Sequence, residues 1–169
     1  MKYEPASDIQ LVAEEISKIL FPHVDVTRLK CFRSQGSSSR GTIARCHALG
    51  KLMQEAIGIR AVYALEFISE RFDKLDREEQ LKIIIHELMH IPKTFGGGFR
   101  QHDFVCERNV NMYYRTYKSK KEEHYDKEKK FKPLITPIKN GFKILFNINQ
   151  CNHWTEQKQM IVSFLYAPL

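Results

Sequence analysis

Apolar side chains recur every three or four positions in four stretches of the chain, a spacing that predicts helices with one buried side. Proline or glycine follows three of these stretches closely, as expected where a helix ends. The predicted helices cover residues 7–20, 48–57, 77–90 and 104–117. In the second helix, Leu49, Leu52, Met53 and Ala56 are expected to face inward.

A different pattern, apolar residues alternating with polar ones or clustering in short runs, predicts strands between and after the helices. Residues 26–32 form one such strand, which leads into a serine-rich loop or hairpin turn, and residues 41–47 form the returning strand. Residues 61–67 and 142–148 are further strands, whereas residues 160–166 fit either a strand or the end of a helix. The mixture predicts an α+β fold, with a small sheet and helices packed on it.

The third predicted helix carries His-Glu-x-x-His at His86, Glu87 and His90. Histidines four residues apart project from one face of a helix, so both can bind one Zn²⁺, with Glu87 as a candidate general base. The apolar stripe formed by Leu81, Ile84, Ile85 and Leu88 centres nearly opposite the two histidines. The helix is therefore expected to bury one side and to present His86 and His90 to a cleft.

A glycine triplet follows this helix and precedes His102. Glycine adopts backbone conformations closed to other residues, so a chain reversal here could bring His102 back to the metal. A catalytic zinc typically has three protein ligands and an open fourth position, which makes His102 the expected third ligand. Asp103 is a candidate for orienting one of the imidazoles.

These segments resemble the zincin metallopeptidases, and in particular a metallopeptidase family of archaea and phages. The resemblance covers roughly residues 5–117 and rests on three motifs. They are Arg33-Ser-Gln-Gly-Ser-Ser-Ser-Arg-Gly-Thr-Ile-Ala-Arg45, Ile68-Ser-Glu-Arg-Phe-Asp-Lys-Leu75, and the stretch from His86 to Asp103. The order of helix, small sheet, active-site helix, distal histidine and second helix is also similar to SprT-like proteases. The cysteine pairs of a zinc ribbon, present in many SprT-like proteins, are absent from this sequence.

The resemblance implies a small zincin-like domain with a short mixed or antiparallel sheet, and zinc-dependent hydrolysis of a peptide or protein substrate. It implies that an edge strand preceding the active-site helix pairs with an extended substrate, a position that residues 61–67 occupy in the sequence. It also offers Glu107 as an alternative third ligand, because gluzincin-like enzymes use a downstream glutamate; we favour His102. Tyr113 and Tyr114 are candidates for stabilising an oxyanion, with core packing as the alternative.

The charge pattern divides the chain. We predict a metallopeptidase domain over residues 1–117, a charged linker or helix extension over 118–132, and a β-rich C-terminal appendage over 133–169. The net charge of +7 would also suit a non-enzymatic module that binds nucleic acid or protein and holds a structural zinc. Arg33, Arg40 and Arg45 could hold an anionic substrate group, or could simply be solvated.

Location and redox state follow from what the sequence lacks. No apolar run is long enough to span a membrane, and the first residues contain no apolar signal region, so we expect a cytoplasmic protein. The four cysteines include no Cys-x-x-Cys pair, which favours reduced thiols over a disulfide framework or a zinc ribbon.

Overall fold

The computed structural model describes residues 1–130, 134–138 and 141–145, with side chains described through residue 123. It divides into two compact units, Met1–Lys120 and Lys121–Leu169. Among the described helices, none is long and apolar enough to cross a membrane. The predicted element at residues 160–166 lies outside the described residues, and the three-part division of the chain stays a prediction.

The first unit is an α+β domain around a four-stranded mixed sheet, as the apolar pattern predicts. The strands are β1 (Lys2–Pro5), β2 (Leu29–Gln35), β3 (Ala44–Ala48) and β4 (Tyr63–Ile68). The helices are α1 (Ser7–Leu20), α2 (Lys51–Ile57), α3 (Ser69–Phe72), α4 (Arg77–Met89) and α5 (Glu107–Lys130), of which the last extends beyond this unit, and a short 3₁₀ helix spans Val26–Arg28. The second unit contains a two-stranded antiparallel sheet of β5 (Leu134–Ile138) and β6 (Gly141–Leu145).

The strand order in the large sheet is β1-β2-β4-β3. Strand β4 pairs in parallel with β2 and antiparallel with β3, so it lies inside the sheet and β3 forms one edge. The predictions that residues 61–67 form the edge strand and that residues 41–47 return beside residues 26–32 are therefore wrong. The alternating pattern identifies each strand, but strand order depends on pairings between distant residues, which the pattern does not contain.

One hydrophobic core lies between the sheet and helices α1 and α4. Tyr63, Leu65 and Phe67 project from one face of β4 and are fully buried, because successive side chains of a strand point to opposite faces. Helix α4 contributes the predicted stripe, of which Ile84, Ile85 and Leu88 are buried and Leu81 is half-buried. Burying each such aliphatic side chain is worth roughly 1.5–3 kcal/mol, so this stripe fixes which side of α4 faces the sheet.

Helix α2 departs from the prediction. None of its residues is buried, and Leu52 is 81% exposed and Met53 51% exposed. Only Gln54, which bonds to the glycine loop described below, is half-buried among the seven residues. Helical spacing of apolar residues predicts an apolar stripe correctly, but it does not say whether another element covers that stripe.

Candidate metal centre

Helix α4 begins where the sequence predicts. The Asp76 carboxylate accepts a hydrogen bond from the backbone N–H of Glu79 at 2.8 Å, which satisfies one of the free donors in the first turn. The helix ends at Met89, and Pro92 follows within one turn. This placement brings His86 and His90 to the last turn of the helix, on the side away from the buried stripe, and both are half-buried.

A glycine loop, residues 96–98, carries the chain back toward α4. The buried Tyr63 hydroxyl accepts a hydrogen bond from Gly97 N–H and donates one to the carbonyl of Gly98, both at 2.9 Å. Gly97 has a φ of 91°, and a Cβ atom there would overlap the backbone oxygen of Leu49 and the side chain of Gln54. Glycine is required at this position for both conformation and space.

His102 lies beside His86 and His90, as the glycine triplet predicts. The three residues form a group whose potential ligand atoms all lie within 4.8 Å of one another. The Nε2 atoms of His86 and His90 are 3.3 Å apart. Tetrahedral zinc with Zn–N distances of about 2.0–2.1 Å requires its ligand nitrogens to be about 3.3–3.4 Å apart, so this pair already has the separation that zinc needs.

Two backbone carbonyls orient the imidazoles. Nδ1 of His90 lies 2.9 Å from the Arg100 carbonyl oxygen, and Nδ1 of His102 lies 3.4 Å from that of Val105. A carbonyl oxygen only accepts hydrogen bonds, so in each case Nδ1 carries the proton and Nε2 keeps its lone pair for a metal. Arg100 N–H also donates to the backbone oxygen of His90 at 2.8 Å, which fixes the loop against the end of α4.

The electrostatics of the cluster also suit metal binding. Burial and the neighbouring imidazoles lower the pKa of His86 to about 4, and burial lowers the pKa of His90. Both rings are therefore neutral at pH 7, which is the protonation state that binds a metal ion. Three imidazole side chains form a donor set typical of zinc, so these residues fit that ion.

Glu87 lies next to the histidines but is directed elsewhere. Its side chain is buried, with 6% of the residue exposed, and burial raises its pKa to about 7 although the backbone N–H of Cys46 lowers it. No ion pair to Glu87 is found among the residues whose side chains are described. The carboxyl group thus meets the edge strand β3 at Cys46, and no cationic partner for it is found in the part of the chain whose side chains are described.

Other candidate residues lie outside the cluster. Glu107, the alternative third ligand, is exposed and is not part of the three-residue group. The Asp103 carboxylate accepts a hydrogen bond from Phe104 N–H, and the role predicted for it is filled at His90 by the Arg100 carbonyl. Backbone groups of this kind leave no signal in the residue types, so the sequence could not indicate Arg100.

The two tyrosines considered for an oxyanion site have packing roles. The Tyr114 hydroxyl donates to Glu78 in the first turn of α4, far along the helix from the histidines. The Tyr113 ring packs against Phe21 and Phe104, with centroid distances of 5.2 and 6.4 Å. Both contacts correspond to the core-packing alternative. The hydrogen bonds between Tyr63 and the glycine loop were not predicted, because they join segments that are distant in the sequence.

A helix with His-Glu-x-x-His beside a small mixed sheet is the arrangement of a small zincin-like domain, which agrees with the predicted fold class. The chain matches the family described as "Putative phage metallopeptidase" over residues 1–132, and it belongs to that family. Neither the curated proteins nor the solved structures contain a significant match to the chain. Membership implies a metal-dependent peptidase, and His86, His90 and His102 are a group that could bind the metal.

Proposed function

We propose that the protein is a zinc-dependent peptidase in which His86, His90 and His102 hold the metal and Glu87 is the general base. One observation carries the proposal: three imidazoles converge at the end of the helix that also carries Glu87, a buried carboxyl group with no ion-pair partner among the residues whose side chains are described. Zinc held by these nitrogens would polarise the scissile carbonyl group and lower the pKa of an attacking water to about 7.

Glu87 would transfer a proton from the attacking water to the leaving amine. Its carboxylate takes a proton from the attacking water and returns it to the leaving amine, a role that requires a group exchanging protons near neutral pH. Burial supplies that property, because it disfavours the charged form of a carboxyl group. A carboxylate with an arginine or lysine partner would remain ionised and would be a weaker base.

The free edge of β3 supplies a place for the substrate backbone. Leu49 N–H donates a hydrogen bond to the carbonyl oxygen of Val62, and Ile68 N–H donates one to the carbonyl oxygen of Ile43, both at 2.9 Å. These two bonds establish the phase of the β3–β4 pair, that is, which residues of β3 point their backbone groups toward β4. In that phase the odd-numbered residues of β3 bond to β4, so Ala44, Cys46 and Ala48 direct their backbone groups outward.

An extended peptide can add to such an edge as a further strand. Cys46 N–H reaches the Glu87 carboxyl group, so the outward edge meets the proposed base at Cys46. A substrate strand beside β3 would therefore pass next to Glu87 and the histidines. Strand β3 takes the role that the sequence assigned to residues 61–67.

The rival function is a binding module with a structural zinc. Structural zinc sites typically have four protein ligands, whereas catalytic sites have three and an open position. The group found among the described residues contains three, and one of them, His102, is exposed. This observation supports catalysis. Binding to nucleic acid remains a prediction from the net charge alone.

Metal-dependent cleavage tests the proposal. Purified protein is incubated with an unfolded protein substrate before and after treatment with a chelator, and again after zinc is restored. We expect activity to disappear and to return, and we expect His86→Ala to be inactive with zinc present. Glu107→Ala is the matched control and should retain activity, because Glu107 is exposed and outside the cluster. Cleavage by His86→Ala at the wild-type rate would contradict the proposal.

A further inference from the structure

A second group of ionisable residues lies on the face of the sheet opposite the metal cluster. Glu66 in β4 is buried, and its side chain is 3% exposed. It binds two side chains of the edge strand: Arg45 Nη1 lies 3.1 and 3.2 Å from its carboxylate oxygens, and His47 Nε2 lies 2.7 Å from one of them. The proposed mechanism uses none of these three residues.

The buried carboxylate holds Arg45 and His47 in place on β3. Burial alone would raise the pKa of Glu66, but the neighbouring Ser34 hydroxyl, His47 and Arg45 lower it by more, so the net shift is downward and the group is ionised at pH 7. Arg45 uses only Nη1 in these contacts, and no partner for its Nη2 or Nε is found among the described residues. Part of the guanidinium group thus remains available to a ligand.

The backbone hydrogen-bonding pattern of β3 determines how Arg45 and His47 would lie relative to a substrate strand. Arg45 and His47 direct their backbone groups toward β4, so an antiparallel substrate strand on the other side would face them as non-hydrogen-bonded pairs. Opposite residues in such pairs are closest, with Cα atoms about 4.5 Å apart. Substrate side chains opposite Arg45 and His47 would also point to the same face as these residues.

At the position of a substrate strand beside β3, the positive charge of Arg45 and the negative charge of Glu66 do not cancel. A substrate strand would lie about 4.8 Å from β3 but two strand spacings from β4, where Glu66 is located. The Arg45 side chain is 29% exposed and that of His47 is 51% exposed, against 3% for Glu66. The nearer and more exposed guanidinium group of Arg45 therefore dominates the electrostatic environment of a substrate side chain opposite it.

We propose that Arg45, held in place by Glu66, is a specificity-determining residue that favours an acidic side chain at the substrate position opposite it and disfavours lysine and arginine. The inference rests on the proposed function, because it requires a substrate strand along β3. It adds a substrate class: extended segments that place an acidic residue opposite Arg45.

Peptide binding tests the inference without catalysis. Zinc-loaded Glu87→Gln is titrated with fluorescent peptides of about eight residues in which valine alternates with aspartate, asparagine or lysine. Opposite charges across a strand pair attract and like charges repel by similar amounts. We expect the aspartate peptide to bind about 5- to 30-fold more tightly than the lysine peptide, with asparagine between them.

Variants identify the residues responsible. Arg45→Gln should reduce the aspartate-over-lysine ratio at least about threefold, and Arg45→Lys should largely restore it. Lys30→Gln is the matched control, because Lys30 is an exposed cation on the same face of the sheet but in β2. The aspartate-over-lysine affinity ratio of this variant should equal that of the Glu87→Gln protein in which it is made. If Arg45→Gln does not fold, the double variant Arg45→Gln/Glu66→Gln keeps a neutral hydrogen-bonded pair and should show the same reduced ratio.

Two results would overturn the inference: equal affinity for the three peptides, including no binding of any of them, or an unchanged ratio in the Arg45 variants. Neither result bears on zinc-dependent cleavage, which is measured separately on the wild-type protein. Conversely, loss of the proposed peptidase activity with a preserved aspartate preference would leave β3 as a peptide-binding edge without the chemistry.

Discussion

Two buried glutamates lie on either side of the edge strand β3 and have opposite properties. Glu87, from helix α4, is 6% exposed and has a pKa raised to about 7. Glu66, from strand β4, is 2% exposed and has a lowered pKa. Burial acts on both in the same direction, so the difference comes from their neighbours.

The neighbours assign each carboxyl group to a different task. Arg45 forms an ion pair with Glu66 and His47 forms a hydrogen bond to it, so Glu66 fixes two side chains of the edge strand. Glu87 accepts a hydrogen bond from the backbone N–H of Cys46, and no cation lies beside it among the residues whose side chains are described, so burial sets its pKa at about 7. Burial alone therefore does not distinguish the two carboxyl groups; their neighbours do, and the catalytic role that we propose for Glu87 depends on that difference.

The largest expected difference is in activity. Glu87→Gln should lower the rate of peptide cleavage by about 10²–10⁴-fold while zinc remains bound, because it removes the base and keeps the shape of the side chain. Glu66→Gln should retain activity within about tenfold of the wild type, because its side-chain partners Arg45 and His47 lie outside the proposed metal site. Cleavage rates on one substrate, with zinc content measured in parallel, check both. Equal losses in the two variants would remove the distinction between the glutamates.

For stability we expect the opposite order, with the larger effect from Glu66→Gln and the smaller one from Glu87→Gln. Glu66→Gln weakens charged hydrogen bonds to Arg45 and His47 in a buried setting, and we expect it to lower the free energy of unfolding by about 1–3 kcal/mol. Glu87→Gln has no ion pair to lose, and its amide oxygen can still accept from Cys46 N–H, so the change should be below about 1 kcal/mol. Urea unfolding of the metal-free proteins at pH 7 measures both. A larger loss for Glu87→Gln would mean that Glu87 is mainly structural.

The smallest expected effect is a pH dependence due to Glu66. Its folded-state pKa is lower than its unfolded value of about 4.3, so its contribution to stability is complete above that value and is lost as pH falls through the folded pKa. The difference in unfolding free energy between wild type and Glu66→Gln should therefore narrow as pH is lowered from 5 toward 3. Glu79→Gln, at an exposed position, is the control. A difference that widens toward low pH would contradict the ion-pair account.

Much of α4 was predictable because its determinants are local. The cap at Asp76, the stripe ending at Leu88 and the stop at Pro92 lie within one stretch of sequence, and each acts on neighbours at most a few turns away. The proximity of His102 was predictable for the same reason, since the glycine loop is short. The structure brings the three histidines together, as the sequence predicts.

What could not be predicted depends on contacts between distant segments. Strand β4 lies between β2 and β3 although β3 precedes it in the chain, and no local pattern encodes that order. The partnership of Glu66 with Arg45 follows from the same pairing. An acidic residue inside an apolar strand was the available signal for Glu66, and its partners became identifiable only once β3 was placed beside β4.

The central claim is that His86, His90 and His102 bind one metal ion, and the zinc content of purified protein tests it most directly. We predict about one zinc per chain in the wild type and the same zinc content in the Glu107→Ala variant. Losing a residue that only hydrogen-bonds to a metal ligand typically weakens metal binding by roughly 10- to 100-fold. His102→Ala removes a proposed ligand itself, so we expect it to weaken zinc binding by more than that. Normal zinc content in a His86→Ala/His90→Ala double variant, or loss of zinc from Glu107→Ala with retention in His102→Ala, would contradict the account.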